Sequence, residues 1–124
     1  MKLPEISDSE WEVMNVIWGR SPLTASEIVD MLAGKKQWSP RTVKTLLNRL
    51  VKKKALAYEV TGNRYLYRPN IAREFCVRHE GRSFMNRVFG GAAGAMLAHF
   101  VEDANLSLTE IENLKKILNR KGKQ

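Results

Sequence analysis

Placed on a helical wheel, residues 39–53 bring Arg41, Lys44, Thr45, Asn48 and Lys52 within roughly 100° of arc. Those side chains suit base-pair edges and the phosphates beside them. Arginine and lysine reach guanine O6 and N7 or a phosphate oxygen, asparagine pairs with adenine, and threonine meets a thymine methyl. Ser39 and Thr42 stand at the start of the same helix, where free backbone N–H groups favour an anion. Thr42 occupies a position where other helix starts in this chain carry glutamate, and a carboxylate there would repel phosphate. A polar stripe is also the ordinary solvated face of an amphipathic helix. The stripe alone does not decide between the two.

Charge distribution favours the first. The net charge is +8. Residues 1–34 hold Lys2 and Arg20 against six carboxylates, and residues 71–124 hold nine cations against six carboxylates. Residues 35–70 hold ten lysines and arginines against Glu59 alone. Concentration of positive charge in one segment is the footprint of a polyanion-binding face.

The elements that must position the stripe are marked by local signals. Ser7-x-x-Glu10, Thr24-x-x-Glu27 and Ser107-x-x-Glu110 are capping boxes. Each has an apolar pair able to staple it: Ile6 with Trp11, Leu23 with Ile28, Leu106 with Ile111. Trp38-Ser39-Pro40 starts another helix, with Ser39 as N-cap and Pro40 at the first helical position. These signals predict helices near 7–19, 24–33, 39–53 and 107–121. Val43, Leu46, Leu47, Leu50 and Val51 give the third helix its core face. Strands are predicted at 57–61 and 64–68, joined by Gly62-Asn63 in a tight hairpin. A helix over 71–89, a break at Gly90-Gly91 and an Ala-rich helix to about Asp103 complete the order.

Three helices followed by a hairpin describe a winged helix-turn-helix, so the expected fold is mostly α. A winged domain over 1–70, with a two-stranded wing, precedes a three-helix dimerisation region over 71–124. Asn63 and Arg64, at the tip of the wing, could touch backbone or minor groove, or simply form and solvate the turn. Thr24, Ala25 and Ser26 could offer N–H groups to phosphate, although capping is their ordinary role. Ile111, Leu114, Ile117 and Leu118 form an apolar stripe suited to dimerisation or to an intrachain core.

Other chemistries find little support. Cys76 and His79 make a C-x-x-H pair, half a metal site at most, with His99 as the other histidine and no second cysteine. No metal or cofactor is expected. Neither a nucleophile elbow, a P-loop nor an H-E-x-x-H motif occurs, so no enzyme activity is expected either. Trp11, Met14 and Trp18 share a helix face and read as core. A single cysteine, no apolar leader near Met1-Lys2-Leu3 and no long apolar run predict a cytoplasmic protein without membrane contact. Two readings compete with DNA: a helical scaffold binding an acidic partner, and an RNA-binding module. For the latter, no RNP-type aromatic motif is present, and Tyr65 and Tyr67 fit strand packing.

The run Ile6 to Trp18 (ISDSEWEVMNVIW), the block Trp38 to Leu50 (WSPRTVKTLLNRL), Tyr67-Arg68-Pro69 and Phe84-Met85-Asn86-Arg87-Val88 together resemble the BlaI/MecI penicillinase-repressor family. The resemblance covers nearly the whole chain. It implies a homodimer on a double-stranded DNA operator, an inverted repeat with TACA/TGTA-like cores, repressing resistance genes. It implies operator contacts by Arg41, Thr42, Lys44, Thr45 and Arg49. Arg49 lies about 80° around the wheel from Arg41 and suits phosphate. Interlocked C-terminal helices are also implied, with Phe84, Val88 and Phe100 joining the tail stripe at the dimer interface. Family members are released when a sensor-linked protease cuts an Asn–Phe bond. The matching bond here is His99–Phe100, where His99 replaces asparagine and would otherwise be an ordinary helix residue beside a core Phe100. Copper-responsive relatives end in a C-x-C…C-x-C motif, which the end of this chain lacks.

Overall fold

A computed structural model describes residues 3–123; Met1, Lys2 and Gln124, which enter the readings of the start and the tail, lie outside the described residues. The elements are α1 (Asp8–Gly19), β1 (Leu23–Thr24), α2 (Ala25–Ala33), α3 (Pro40–Lys52), β2 (Leu56–Thr61), β3 (Arg64–Pro69), α4 (Arg73–Phe89), α5 (Ala93–Asp103) and α6 (Leu108–Gly122). They form two compact units, the first through Glu80 and the second from Gly81. The first unit reaches past Asn70 because the Trp18 indole N–H donates to the Ile71 carbonyl (3.0 Å) and Cys76 is buried.

All three capping boxes form. Ser7, Thr24 and Ser107 each accept the N–H of the glutamate three residues on, and each glutamate accepts the cap residue's own N–H. Ser39 caps α3 through the Thr42 N–H (3.2 Å), with Pro40 in the first turn. Local sequence fixes these starts because each bond spans only three residues.

The hairpin pairs Leu56 with Pro69 through Thr61 with Arg64, leaving Gly62 and Asn63 as its loop. Gly62 has φ +64, the left-handed conformation that a two-residue hairpin turn needs at its first position. A third strand, β1, lies outside what the sequence pattern predicts. Leu23 pairs with Tyr67 and Thr24 with Leu66, giving the antiparallel order β1-β3-β2. The sheet thus stitches the wing to the start of α2.

Helix α3 ends in a Schellman motif. The N–H groups of Ala55 and Lys54 donate to the carbonyls of Leu50 and Val51, and Lys54 takes φ +65, a place usually held by glycine. Leu50 and Ala55 are both fully buried, which supplies the apolar contact of that motif. The chain then turns directly into β2.

Met14 and Ile17 of α1, Ile28 and Leu32 of α2, and Val43, Leu47 and Leu50 of α3 make the core of the first unit, with Leu23, Leu56 and Tyr67 from the sheet. Trp18 packs at its edge, with the Trp11 ring 5.5 Å from it, centroid to centroid. Glu10 is the charged residue buried there, 1% exposed. Its carboxylate accepts from Lys53 Nζ and from the Ser7 N–H (2.8 Å).

The second unit is built differently. No residue of α5 or α6 is buried. Phe84, Phe89, His99 and Phe100 form an aromatic cluster with centroids 5.5 to 6.3 Å apart. Ile111 and Leu114 are half-buried, while Val88, Leu97, Val101, Ile117 and Leu118 are exposed. Among the described residues no helix is long and apolar enough to cross a membrane.

Candidate nucleic-acid interface

Helix α3 has two sharply different sides. Val43, Leu46, Leu47 and Leu50 are buried, which fixes its rotation on the core. Ser39, Arg41, Thr42, Lys44, Thr45, Asn48, Arg49 and Lys52 are all exposed, as the wheel required.

Hydrogen bonding narrows what several of them can offer. Thr45 donates its hydroxyl to the Arg41 carbonyl (3.0 Å), leaving its methyl and an acceptor-only oxygen for a base. The Ser39 and Thr42 hydroxyls bond each other (3.1 Å), and Ser39 Oγ also holds the Thr42 N–H. Pro40 has no N–H, and the Val43 N–H goes to the Ser39 carbonyl. The Arg41 N–H is therefore the first-turn donor with no partner among the described residues. With the Ser39 N–H, which no glutamate holds here, the helix start keeps two donors without a partner among the described residues.

The wing comes alongside α3. Lys44 and Asn48, the tip residues Asn63 and Arg64, and Thr24, Ala25 and Ser26 at the start of α2 line one open concave face. Arg41, Thr42, Thr45, Arg49 and Lys52 are exposed on α3 but do not line that hollow. Thr24 performs its capping role there, holding the Glu27 carboxylate through N–H and hydroxyl (2.9 and 3.0 Å). These bonds, the backbone one foremost, hold the Glu27 carboxyl below its ordinary value. Glu27 and Asp30 also line the hollow, so its acidic side is α2 and its basic side is α3 with the wing.

Wing rigidity comes from its tyrosines. Tyr58 and Tyr65 stack with centroids 4.6 Å apart and planes 6° apart. Tyr67 is buried in the core, and burial, with the neighbouring Tyr65 and Tyr58, pushes its phenol up. The Arg68–Glu59 pair (2.7 Å) crosses the strands in the open, where such pairs add about 0–1 kcal/mol.

Two features escaped the sequence reading. Lys53 lies in the basic segment, yet its ammonium is turned onto the buried Glu10 and the Glu5 carbonyl (2.7 Å). The pairing of β1 with β3 brings the α2 start and the wing together. Glu10, one of three carboxylates in α1 and already engaged in its capping box, gave no separate signal for the former; a two-residue strand leaves no periodic signal for the latter. Among the described residues no group of three or more His, Cys, Asp or Glu could hold a metal ion. Burial pushes the Cys76 thiol up, away from the thiolate a metal needs.

The family model described as penicillinase repressor matches residues 6–120. The chain belongs to the penicillinase repressor family. A penicillinase repressor of Bacillus licheniformis is 40% identical over 117 residues, 94% of this chain and 91% of that protein. The methicillin resistance regulatory protein MecI of Staphylococcus aureus strain N315 is 36% identical over 120 residues, 97% and 98% of the two chains. The solution structure of the monomeric form of Bacillus licheniformis BlaI in complex with the blaP half-operator matches with TM-score 0.53 at 44% identity, over 59% of this chain and 89% of that one. As a member of the penicillinase repressor family, the protein is a winged-helix DNA-binding transcriptional repressor.

Proposed function

We propose that the protein acts as a homodimer on an inverted-repeat operator with TACA/TGTA-like half-sites, repressing genes of β-lactam resistance in the cytoplasm. Each α3 enters a major groove. Arg41, Thr42, Lys44, Thr45 and Asn48 read bases, Thr45 through its methyl. Arg49 and Lys52 hold phosphates, and the Arg41 N–H at the Ser39-capped start donates to a further phosphate oxygen. Asn63 and Arg64 bring the wing onto the adjacent backbone. The observation that carries this reading is the exposure of the whole polar stripe of α3 opposite the buried Val43, Leu46, Leu47 and Leu50, with Val51 of the same face half-buried.

The dimer is assigned to Phe84, Val88, Phe100, Ile111, Leu114, Ile117 and Leu118. Several of these are open to solvent in the single chain: Val88 is 58% exposed, Phe100 46%, Ile117 49% and Leu118 60%. Two recognition helices then meet half-sites one helical turn, about 34–36 Å, or a multiple apart.

Release is assigned to a sensor-linked protease cutting His99–Phe100. Both residues are exposed in the single chain; with Phe100 assigned to the dimer interface, cutting requires the monomer or a local opening of α5, a helix without a buried residue of its own. Intact-mass measurement of cells treated with a β-lactam should show a fragment ending at His99. Full-length protein beside a derepressed target gene would overturn this release route.

Footprinting with the operator duplex tests the groove assignment. Arg41→Ala should cost about 1–3 kcal/mol and relax sequence preference. Lys52→Ala should weaken all duplexes alike and lower the salt slope by about one. Equal losses on specific and random DNA for both variants would defeat the assignment.

A further inference from the structure

We propose that Lys53 is a positioning residue for operator binding, locking the end of the recognition helix to the start of α1 through the buried Glu10. The proposal rests on the operator reading above and concerns what sets the angle of α3.

Lys53 immediately follows α3 as its C-cap, and the left-handed Lys54 leads straight on into the wing. It therefore sits at the joint between the two elements assigned to DNA. Its ammonium takes two acceptors from the segment that opens α1, the Glu10 carboxylate and the Glu5 carbonyl. Glu10 is itself fixed, since Oε1 also accepts the Ser7 N–H within the α1 capping box. The Glu10 side chain is 1% exposed and that of Lys53 34%. An ammonium so engaged is not the mobile cation that a phosphate recruits, although Lys52 beside it remains exposed.

The apolar face of α3 fixes which side of the helix meets the core, but burial of apolar surface is itself non-directional and sets the position of the helix end less sharply. A charge-assisted bond between two partly desolvated groups is directional. Binding constellations are held to within about 0.5 Å by packing together with supporting hydrogen bonds, and the Lys53–Glu10 contact is a support of the second kind. The pair thus ties the far end of α3 to α1, whereas the Ser39 cap at its beginning bonds only within the helix's own first turn.

The test uses the full chain with Lys53→Met, Glu10→Gln and the double variant, binding an inverted-repeat TACA/TGTA duplex and a random duplex across a salt series. Circular dichroism fixes a temperature at which each variant is folded. The double variant removes both charges together and keeps the experiment readable if Lys53→Met leaves an unpaired carboxylate that unfolds it.

Operator affinity should fall about tenfold in each variant, with the double no worse than the singles, as expected for one shared interaction. Random-duplex affinity and both salt slopes should stay at wild-type values. A salt slope lowered by about one, with equal loss on both duplexes, would show a phosphate contact and overturn the proposal. A lowered melting temperature with unchanged operator affinity would also overturn it, as a purely structural pair. Arg41→Ala run in parallel keeps the two readings apart. If it too leaves operator preference untouched, the groove assignment has failed rather than the clamp.

Discussion

In the first unit Met14, Ile17, Leu47 and Leu50 are wholly buried, whereas in the second no residue of α5 or α6 is, and Leu97, Phe100 and Leu118 stand about half exposed. Both units have capped helices with apolar faces, so local signals do not separate them. Closure does. The first unit has a sheet on which three helices can converge. The second consists of helices whose apolar residues outnumber the places within one short chain that could cover them, a common condition of very small units. A well-formed helix is therefore no evidence of a finished core. The first unit's stability should be its own, while the second's should depend on concentration, as for any fold completed by association.

The largest test of this contrast is Leu47→Ala. Truncating a fully buried side chain of α3 should cost about 2–5 kcal/mol, read as a shift of the urea midpoint that is independent of protein concentration. Leu118→Asp should act elsewhere. It should weaken self-association by about 2 kcal/mol or more, seen as a shift toward monomer in sedimentation, with near-native circular dichroism of the winged unit. Concentration-independent unfolding by Leu118→Asp would erase the distinction.

Acid should separate the units next. Burial works to raise the Glu10 carboxyl, but the hydrogen bonds from Lys53 and Ser7 outweigh it and hold the group below 4.5. A carboxyl depressed in the folded state adds stability above its unfolded value and loses that stability as pH falls through the folded one. The urea midpoint of the first unit should therefore hold above pH 4.5 and fall below it. Glu10→Gln should flatten that fall, whereas Glu110→Gln, on the exposed α6 cap, should change it little. The smallest expected effect is Lys54→Gly. Relieving the left-handed lysine should stabilise the first unit by about 0.5–1 kcal/mol in the same titration. A loss there would mean that the lysine side chain contributes more than its backbone strain removes.

Helix starts were legible because a cap is a bargain among four consecutive residues; Ser7, Thr24, Ser39 and Ser107 needed no tertiary context. The turn at Gly62-Asn63 and the rotation of α3 were legible for a related reason, being set by local geometry and periodicity. What escaped was long-range. Leu23 and Thr24 become a strand only because Tyr67 and Leu66 lie beside them. Lys53 counted among the basic residues until Glu10, on another helix, turned it inward. Thr45 illustrates the limit within a single helix: its type suggested a methyl for a thymine, and only the structure shows its hydroxyl proton engaged by the Arg41 carbonyl.

The indole of Trp18 bonded to the Ile71 carbonyl has an optical consequence. All three tryptophans, Trp11, Trp18 and Trp38, belong to the first unit, and none follows. Emission excited in the indole band therefore comes from residues of the winged unit. Within that signal Trp18 is the reporter of the segment that opens α4, since loosening of that segment breaks its hydrogen bond and changes the polarity around the ring. The chain thus carries its own label at the point where the DNA-reading part gives way to the rest.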